Sequence, residues 1–269
     1  MPKVQVNGIA LYYEEHGQGD ALALIPGLGL WHWCWLRQVP ALSRYFRTIA
    51  IDNRGVGDSD KPDEPYTIEG MADEAAAVLR ALGAEPAHVL GFSMGGYIAQ
   101  ELALRHPDQV ASLVLVSTGP GGPDQVEPDP EVQAAMRIHT SQTPEENLRR
   151  QFPYAVAPGY FDAHPDEFEE LIRLRLQKPT PVHVYVRQHE ATRRWRGLRG
   201  RGAALEVPVL IVHGDRDRLL PVENARRLAE LIPGAELRLI PGAGHFPLLE
   251  AAPMVNRVIL EFLLELGYG

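Results

Sequence analysis

Short apolar runs that alternate with helical segments are the feature that most constrains the fold of this chain. Such runs are typical of strands buried on both faces, and they span residues 21–25, 48–51, 88–92, 113–116, 209–212 and 237–240. Apolar residues at helical spacing predict helices over 67–82, 95–105, 222–231 and 253–264. Strands that alternate with helices predict an α/β fold, a mostly parallel twisted sheet with helices on both faces.

The beginning of the chain departs from this alternation. Apolar-rich runs over 4–6 and 9–13 flank the pair Asn7-Gly8, and Asn-Gly between such runs is a strong hairpin signal. We therefore expect an antiparallel hairpin at one edge of the sheet.

The alternation also stops between Pro123 and about Glu206. This span is rich in Pro, Glu and Arg, with helical patches at 144–151 and 166–177. Open α/β sheets bind ligands outside the carboxyl ends of their strands, so we expect a helical cap over that edge, inserted before the last strands. The alternative is a surface excursion without function. We predict a core domain of residues 1–122 and 207–269 and a helical insertion of residues 123–206.

Composition excludes several classes of protein. The chain has 269 residues, 45% hydrophobic and 23% charged, which suits one large domain with a sizeable insertion. A formal charge of −9 argues against a nucleic-acid partner or an anionic membrane surface. The single cysteine, Cys34, cannot form an internal disulfide. No run is long enough to span a membrane, and the opening residues lack the apolar run of a signal peptide, so we expect a cytoplasmic protein.

The motif Gly-Phe-Ser-Met-Gly at 91–95, followed by Gly96, is the strongest catalytic signal. It lies where a predicted strand meets a predicted helix, the context that a nucleophilic serine on a tight turn requires. The glycines remove Cβ atoms that would collide there, and the next helix directs its N-terminus at a developing anion. We predict that Ser93 is a nucleophile.

A serine nucleophile needs a base, and the base needs an orienting acid. His245 follows the last predicted strand on a glycine-rich loop and is the candidate base. Asp215 and Asp217 both follow the preceding strand; the spacing Gly-x-x-Asp from Gly214 favours Asp217, and we expect Asp215 to cap the loop or pair with an arginine. Two backbone N–H groups should bind the oxyanion, those of Met94 and of Leu28 in the loop after the first core strand.

These motifs together resemble the α/β-hydrolase superfamily, most closely its cap-bearing esterases, enol-lactonases and C–C bond hydrolases. The resemblance also rests on residues 26–29 and on Asp52–Ser59, a structural loop signature of the family. It independently implies a Ser93–His245–Asp217 triad with Leu28 and Met94 as oxyanion donors. Many members carry His-Gly where this chain has Pro26-Gly27. The exchange keeps the backbone donor but alters the hydrogen bonds around the loop.

Large apolar residues near the motifs are candidates for the substrate pocket. We predict that Gly27, Trp31 and Phe92 contact the substrate. Trp31, Trp33 and Trp35 have an equally good interpretation as the buried side of a helix. Six arginines form a basic patch late in the insertion, and we interpret them as a solvated surface rather than as a carboxylate site. They are Arg187, Arg193, Arg194, Arg196, Arg199 and Arg201.

The sequence therefore predicts a serine hydrolase that cleaves small to medium carboxylic esters, with no cofactor and no metal. One alternative is a lactonase or C–C bond hydrolase that acts on a metabolite of aromatic breakdown with the same triad. A second alternative is a ligand receptor on this fold without turnover. A serine at the motif argues against dehalogenases and epoxide hydrolases, which the family builds on an aspartate. The expected partner is a small-molecule ester; the sequence indicates no oligomeric state.

Overall fold

A computed structural model describes residues 2–267 of the chain. Its eight strands form one sheet in the order β1-β2-β4-β3-β5-β6-β7-β8. The strands are β1 Lys3–Val6, β2 Ile9–His16, β3 Ala21–Ile25, β4 Arg47–Ile51, β5 Ala87–Phe92, β6 Val110–Val116, β7 Val209–Gly214 and β8 Glu236–Ile240. In this order, each strand from β4 onward is parallel to its neighbour, β3 included, whereas the pairs β1–β2 and β2–β4 are antiparallel. The predicted α/β sheet is confirmed.

The edge hairpin is also confirmed. Asn7 and Gly8 have φ values of 49° and 85°, the left-handed backbone that a two-residue hairpin turn requires. β2 continues to His16, beyond the predicted run, because Tyr13 to His16 pair with Ile51 to Thr48 of β4. The pairing partner extends a strand that local hydrophobicity alone would end at Tyr13.

The α-helices include those that the sequence predicts over 67–82, 95–105, 222–231 and 253–264 and at the patches 144–151 and 166–177, and five more in the described chain. They are α1 Val39–Leu42, α2 Ile68–Ala81, α3 Met94–Arg105, α4 Pro130–Met136, α5 Pro144–Gln151, α6 Tyr160–Ala163, α7 Pro165–Gln177, α8 Val182–Arg194, α9 Glu223–Leu231, α10 Pro247–Glu250 and α11 Ala252–Glu265. Thr67 caps α2, its Oγ1 accepting the Gly70 N–H at 2.9 Å. Among residues 2–267, no helix is both long and apolar enough to cross a bilayer.

The central strands lie in the core and bring the predicted chemistry to one edge. Every residue of β3, β5 and β7 is buried. Because these strands are parallel, the loops after β3, β5, β7 and β8 meet at the same edge of the sheet. Those four loops carry Leu28, Ser93, Asp217 and His245.

The helical insertion lies between β6 and β7. α4 to α8 follow one another there without an intervening strand in the described chain. Their side chains bury against the core at several points; Val184 and Trp195, for example, are almost fully buried.

Candidate active site

Ser93 lies on a strained turn between β5 and α3. Its φ of 55° and ψ of −118° are unfavourable for a residue with a side chain, so the surrounding structure must hold it there. A Cβ on Gly91 would lie 2.3 Å from the Gly95 carbonyl oxygen, and one on Gly95 would lie 2.0 Å from the Ile25 carbonyl oxygen. Both glycines are therefore required by close backbone contact. The turn at Ser93 also starts α3 at Met94, one residue earlier than predicted.

Ser93, His245 and Asp217 form a continuous hydrogen-bonded chain. Ser93 Oγ lies 3.0 Å from His245 Nε2, and His245 Nδ1 lies 2.8 Å from Asp217 Oδ2. The Asp217 carboxylate can only accept, so Nδ1 carries the proton and Nε2 is left to accept the serine proton. The structure brings together the three residues that the sequence singled out, from loops far apart in the chain.

The Asp217 carboxylate is fully buried and accepts hydrogen bonds on both oxygens. Oδ1 accepts the N–H groups of Leu219 and Leu220, both at 2.8 Å. Oδ2 accepts from His245 Nδ1 and lies 3.1 Å from His213 Nε2, whose single N–H is shared with the Leu220 carbonyl at 2.8 Å. Burial would raise the pKa of Asp217, but the charge of His245 and the hydrogen bonds from both histidines hold it well below its usual value. The group therefore stays a carboxylate and keeps the His245 tautomer.

The loop that carries His245 is held by two other carboxylates. Asp215 Oδ1 accepts the Gly242 N–H at 2.7 Å, so Asp215 caps this loop, as expected, and lies outside the triad. Glu250 accepts the Gly244 N–H at 3.0 Å and the Ala157 N–H at 2.7 Å. Burial raises the pKa of Glu250, against the effect of these hydrogen bonds. Glu250 is not among the residues that the sequence motifs predict.

Two backbone N–H groups near Ser93 have no hydrogen-bond partner within residues 2–267. They belong to Leu28 and Met94, the two residues predicted as oxyanion donors. Gly27 brings the loop close to Ser93, because a Cβ on it would lie 3.1 Å from the Ser93 Cβ. An oxygen that sits between these N–H groups would accept two hydrogen bonds at once.

Ser93 and His245 open into a cavity of about 700 Å³. Its core side includes Gly27, Phe92 and Met94, so two of the three predicted substrate contacts line it. The Phe92 ring stacks on Phe246, with ring centroids 5.0 Å apart. The opposite side comes from the helical insertion and is more polar; it includes Gln125, Glu127, Gln133, Arg137, Gln151, Arg175, Tyr185, His189 and Arg193.

The family follows from a match over most of the chain. Residues 20–252 match the family described as the alpha/beta hydrolase fold. The chain belongs to the α/β-hydrolase family. It is accordingly a hydrolase built on this fold, and the predicted resemblance is confirmed.

Three similar proteins illustrate the chemistries found on this hydrolase fold. A 2-hydroxy-6-oxononadienedioate/2-hydroxy-6-oxononatrienedioate hydrolase of Burkholderia vietnamiensis is 32% identical, covering 95% of this chain and 91% of its own. The structure of a thermophilic esterase from Thermogutta terrifontis is 26% identical, with a TM-score of 0.86 and 99% of both chains covered. That of the enol-lactonase from Burkholderia xenovorans LB400 is 27% identical, with a TM-score of 0.87 and 98% of this chain and 100% of the other covered.

The tryptophans of this α/β hydrolase do not reach the cavity. Trp31, Trp33 and Trp35 are buried around a short 3₁₀ helix, and none lines the cavity in the described chain. The Trp31 ring instead contacts the His32 ring, and the Lys178 ammonium lies over the Trp31 ring, 5.1 Å from the ring centroid. Within the described chain Trp31 is therefore part of the buried core rather than of the cavity wall, and its contact with substrate stays a prediction.

Most arginines of the basic patch form ion pairs with acidic neighbours and do not line the cavity in the described chain. Four of them form ion pairs: Arg187 with Asp63, Arg194 with Glu190, Arg199 with Asp124 and Arg201 with Glu101. Arg193 is the member of the patch that lines the cavity. The pairing agrees with a solvated, charge-balanced surface at Arg194 and Arg199, which are mostly exposed, whereas Arg201 and its partner Glu101 are largely buried.

Arg175, which the sequence analysis missed, has a very different environment. It lines the cavity and is 7% exposed, and no carboxylate within residues 2–267 forms an ion pair with it. Its Nη1 donates to the Gly29 carbonyl, while its buried Nε has no partner in the described chain. Burial lowers the pKa of Arg175 to about 10, so the group remains charged at neutral pH. Nothing in the local sequence distinguishes it from the exposed arginines around it.

Proposed function

We propose that this hydrolase cleaves small to medium carboxylic esters through an acyl-enzyme on Ser93. The observation that carries the proposal is the Ser93–His245–Asp217 hydrogen-bond chain at the cavity, beside the Leu28 and Met94 N–H groups, which have no hydrogen-bond partner among residues 2–267. A nucleophile, a base with a set tautomer and two oxyanion donors are the components that acyl transfer requires.

The first half of the reaction would use these groups in sequence. His245 Nε2 takes the Ser93 proton as Oγ attacks the ester carbonyl carbon. The carbonyl oxygen becomes an oxyanion that accepts the N–H groups of Leu28 and Met94. As the tetrahedral intermediate collapses, the imidazolium donates its proton to the departing alkoxide, which leaves as the alcohol. Asp217 stabilises the imidazolium without taking a proton, because its pKa is held low.

The second half repeats these steps with water. His245 accepts a proton from water while the water oxygen attacks the acyl carbon of the Ser93 ester. The second intermediate collapses as His245 returns the proton to Ser93 Oγ, which releases the carboxylic acid and restores the enzyme.

We further propose that residues 123–206 act as a cap on a core of residues 1–122 and 207–269. The support is that the insertion supplies one whole side of the cavity and the core supplies Ser93 and His245 on the other. A substrate between them would lie away from bulk water, which strengthens every polar contact made in the transition state. The apolar surface around Phe92 and Phe246 suits an unbranched acyl or an aromatic group.

Arg175 supports a second candidate, a lactone or C–C bond hydrolase that takes a carboxylated substrate. A buried guanidinium without an ion-pair partner in the described chain is a strong site for a carboxylate. The same triad would serve this reaction. Among similar proteins, the enol-lactonase and the oxononadienedioate hydrolase carry names of this chemical class.

The experiment compares initial rates on p-nitrophenyl acetate, butyrate, hexanoate, octanoate and laurate, with Ser93→Ala as the control. Turnover that falls at least a thousandfold in Ser93→Ala would support the ester reaction, and the chain-length profile would size the acyl site. Turnover that survives in Ser93→Ala would refute the mechanism. No turnover on any ester, together with slow or absent labelling by a fluorophosphonate, would favour a receptor.

Arg175→Met separates the two substrate classes. Under the second candidate, the variant loses far more kcat/KM on a carboxylated lactone than on a neutral ester of similar size. Equal losses on both substrates would remove the argument for a carboxylate site.

A further inference from the structure

The loop that carries the Leu28 N–H is held by side chains of the helical insertion. The next residue, Gly29, has both backbone polar groups engaged there. Its N–H donates to Gln188 Oε1 at 2.8 Å. Its carbonyl accepts from Thr180 Oγ1 at 2.9 Å and from Arg175 Nη1. These partners come from α7, α8 and the segment between them, so three parts of the insertion converge on one residue of the core.

The contact between the insertion and Gly29 is close. Gly29 has a φ of 68°, and a Cβ there would lie 3.4 Å from the Tyr185 ring and 3.6 Å from Arg175 Nη2. Gln188 is fully buried, and its Nε2 also donates to the Arg54 carbonyl at 3.0 Å. Both ends of this amide are therefore bound to core backbone, and its position is fully determined.

The core holds only the first part of the same loop. The Pro26 carbonyl accepts from Asn53 Nδ2 at 3.0 Å, and the Gly27 carbonyl accepts the Leu30 N–H at 3.1 Å. Within residues 2–267, Gly29 receives its hydrogen bonds from the insertion alone. Gln188 binds the N–H of the peptide unit that follows Leu28 and so restricts the ψ angle of Leu28. The Leu28 N–H lies in the preceding planar unit with the Gly27 carbonyl, and the turn that holds this carbonyl through the Leu30 N–H passes through Gly29.

We propose that Gln188 and Thr180 are positioning residues that hold the Leu28 N–H in the orientation that binds the oxyanion. The oxyanion hole of this hydrolase is then complete only while the helical insertion is docked on Gly29. The inference rests on the proposed function and extends it: the insertion takes part in transition-state stabilisation as well as in enclosing substrate. It also identifies which groups hold a loop that has Pro26-Gly27 where many relatives have His-Gly.

The test uses variants of the full chain that alter one contact each. Gln188→Met keeps side-chain length and removes the acceptor for Gly29. Thr180→Val is isosteric and removes the hydroxyl, whereas Thr180→Ser retains it. The control is Arg187→Gln, which breaks the ion pair with Asp63, a contact between the same helix and the core that does not involve the loop.

We expect kcat on a p-nitrophenyl ester to fall about tenfold or more in Gln188→Met, with KM changed less than about threefold. The fall should be smaller than the roughly 10²–10³ that follows removal of an oxyanion donor, because the Leu28 N–H is displaced and not deleted. Affinity for phenylboronic acid, whose adduct on Ser93 places an oxygen in the hole, should fall by the same factor. Thr180→Val should lose several-fold in kcat, and both Thr180→Ser and Arg187→Gln should match the wild type.

Three results would overturn the inference. One is an unchanged boronate affinity in Gln188→Met despite a lower kcat. Another is an equal loss of kcat in Arg187→Gln, which would make general docking of the insertion, and not Gly29, the cause. The third is an identical kcat for Thr180→Val and Thr180→Ser, a pair that remains informative if Gln188→Met fails to fold. If wild-type ester turnover does not depend on Ser93, the proposed function fails and this inference fails with it; if that dependence holds and the variants behave as wild type, only the inference fails.

Discussion

Exchanging one atom of the Asp217 carboxylate should disable the base while leaving the fold in place. The carboxylate accepts four hydrogen bonds, from the N–H groups of Leu219 and Leu220 and from the rings of His213 and His245. Asparagine offers one oxygen and one NH₂ group. If its oxygen faces the two backbone donors, the NH₂ group faces His245 Nδ1, which must then give up its proton and accept.

The consequence for Ser93 is a change of the His245 tautomer. With Nδ1 unprotonated, the neutral ring carries its proton on Nε2, 3.0 Å from Ser93 Oγ, and cannot accept the serine proton. We expect Asp217→Asn to lower kcat by about 10⁴, a loss of about 5.5 kcal/mol of transition-state stabilisation. The rate of Ser93 labelling by a fluorophosphonate should fall in parallel, because it depends on the same proton transfer.

The control is Asp215→Asn, the same chemical change two residues earlier. Asp215 accepts a single N–H, that of Gly242, which an asparagine oxygen can also accept. We expect its kcat and labelling rate to equal those of the wild type. If Asp217→Asn retained activity within tenfold of the wild type, or if the two variants were equally impaired, the argument from the His245 tautomer would be wrong.

Three further predictions follow from the same contacts. Gly95→Ala should lower the free energy of unfolding by about 3 kcal/mol and reduce ester turnover at least tenfold, because the new Cβ would lie 2.0 Å from the Ile25 carbonyl oxygen, a backbone group that cannot rotate away. Urea unfolding and initial rates measure the two effects, and wild-type values for both would contradict the steric argument. His213→Leu should lower kcat several-fold with little change in KM, whereas His213→Gln, which can keep a donor near Asp217 Oδ2, should retain most of the wild-type kcat. Equal kcat values in the two variants would show that the donor is not needed. The pKa of Asp217 is lower in the folded than in the unfolded state, so its ionisation stabilises the fold above the unfolded pKa, and that contribution is lost as pH falls. The difference in free energy of unfolding between wild type and Asp217→Asn should therefore shrink from about pH 5 to about pH 2. A constant difference in urea titrations would contradict this.

The elements and the candidate nucleophile could be predicted because their signals are local. Buried parallel strands are continuous apolar runs, and the helices carry apolar residues at helical spacing. The turn at Ser93 leaves a local signal because Gly91 and Gly95 have no room for a Cβ. His245 and Asp217 could be located because each follows a recognisable strand, and the carboxyl ends of parallel strands share an edge.

Other parts of the site could not be predicted, because their signals lie in distant contacts. Trp31 follows the oxyanion loop by only a few residues, yet its side chain points into the core. Arg175 and Gln188 look like ordinary residues of polar helices. Both are distinguished by their hydrogen bonds to Gly29, which is 146 residues from Arg175 and 159 residues from Gln188 in the chain.

The sequence alone therefore determined the α/β sheet, the hairpin at its edge and the positions of the candidate nucleophile and its candidate partners, since backbone sterics and hydrophobic periodicity act between near neighbours. Only the tertiary structure decided which arginine is buried without an acidic partner in the described chain, which aromatic rings line the cavity, and which side chains bind Gly29. Those properties depend on how an insertion of helices packs on the core. A small rotation of any helix would exchange buried for exposed side chains without changing its sequence pattern. The pattern therefore does not predict which polar side chains become buried.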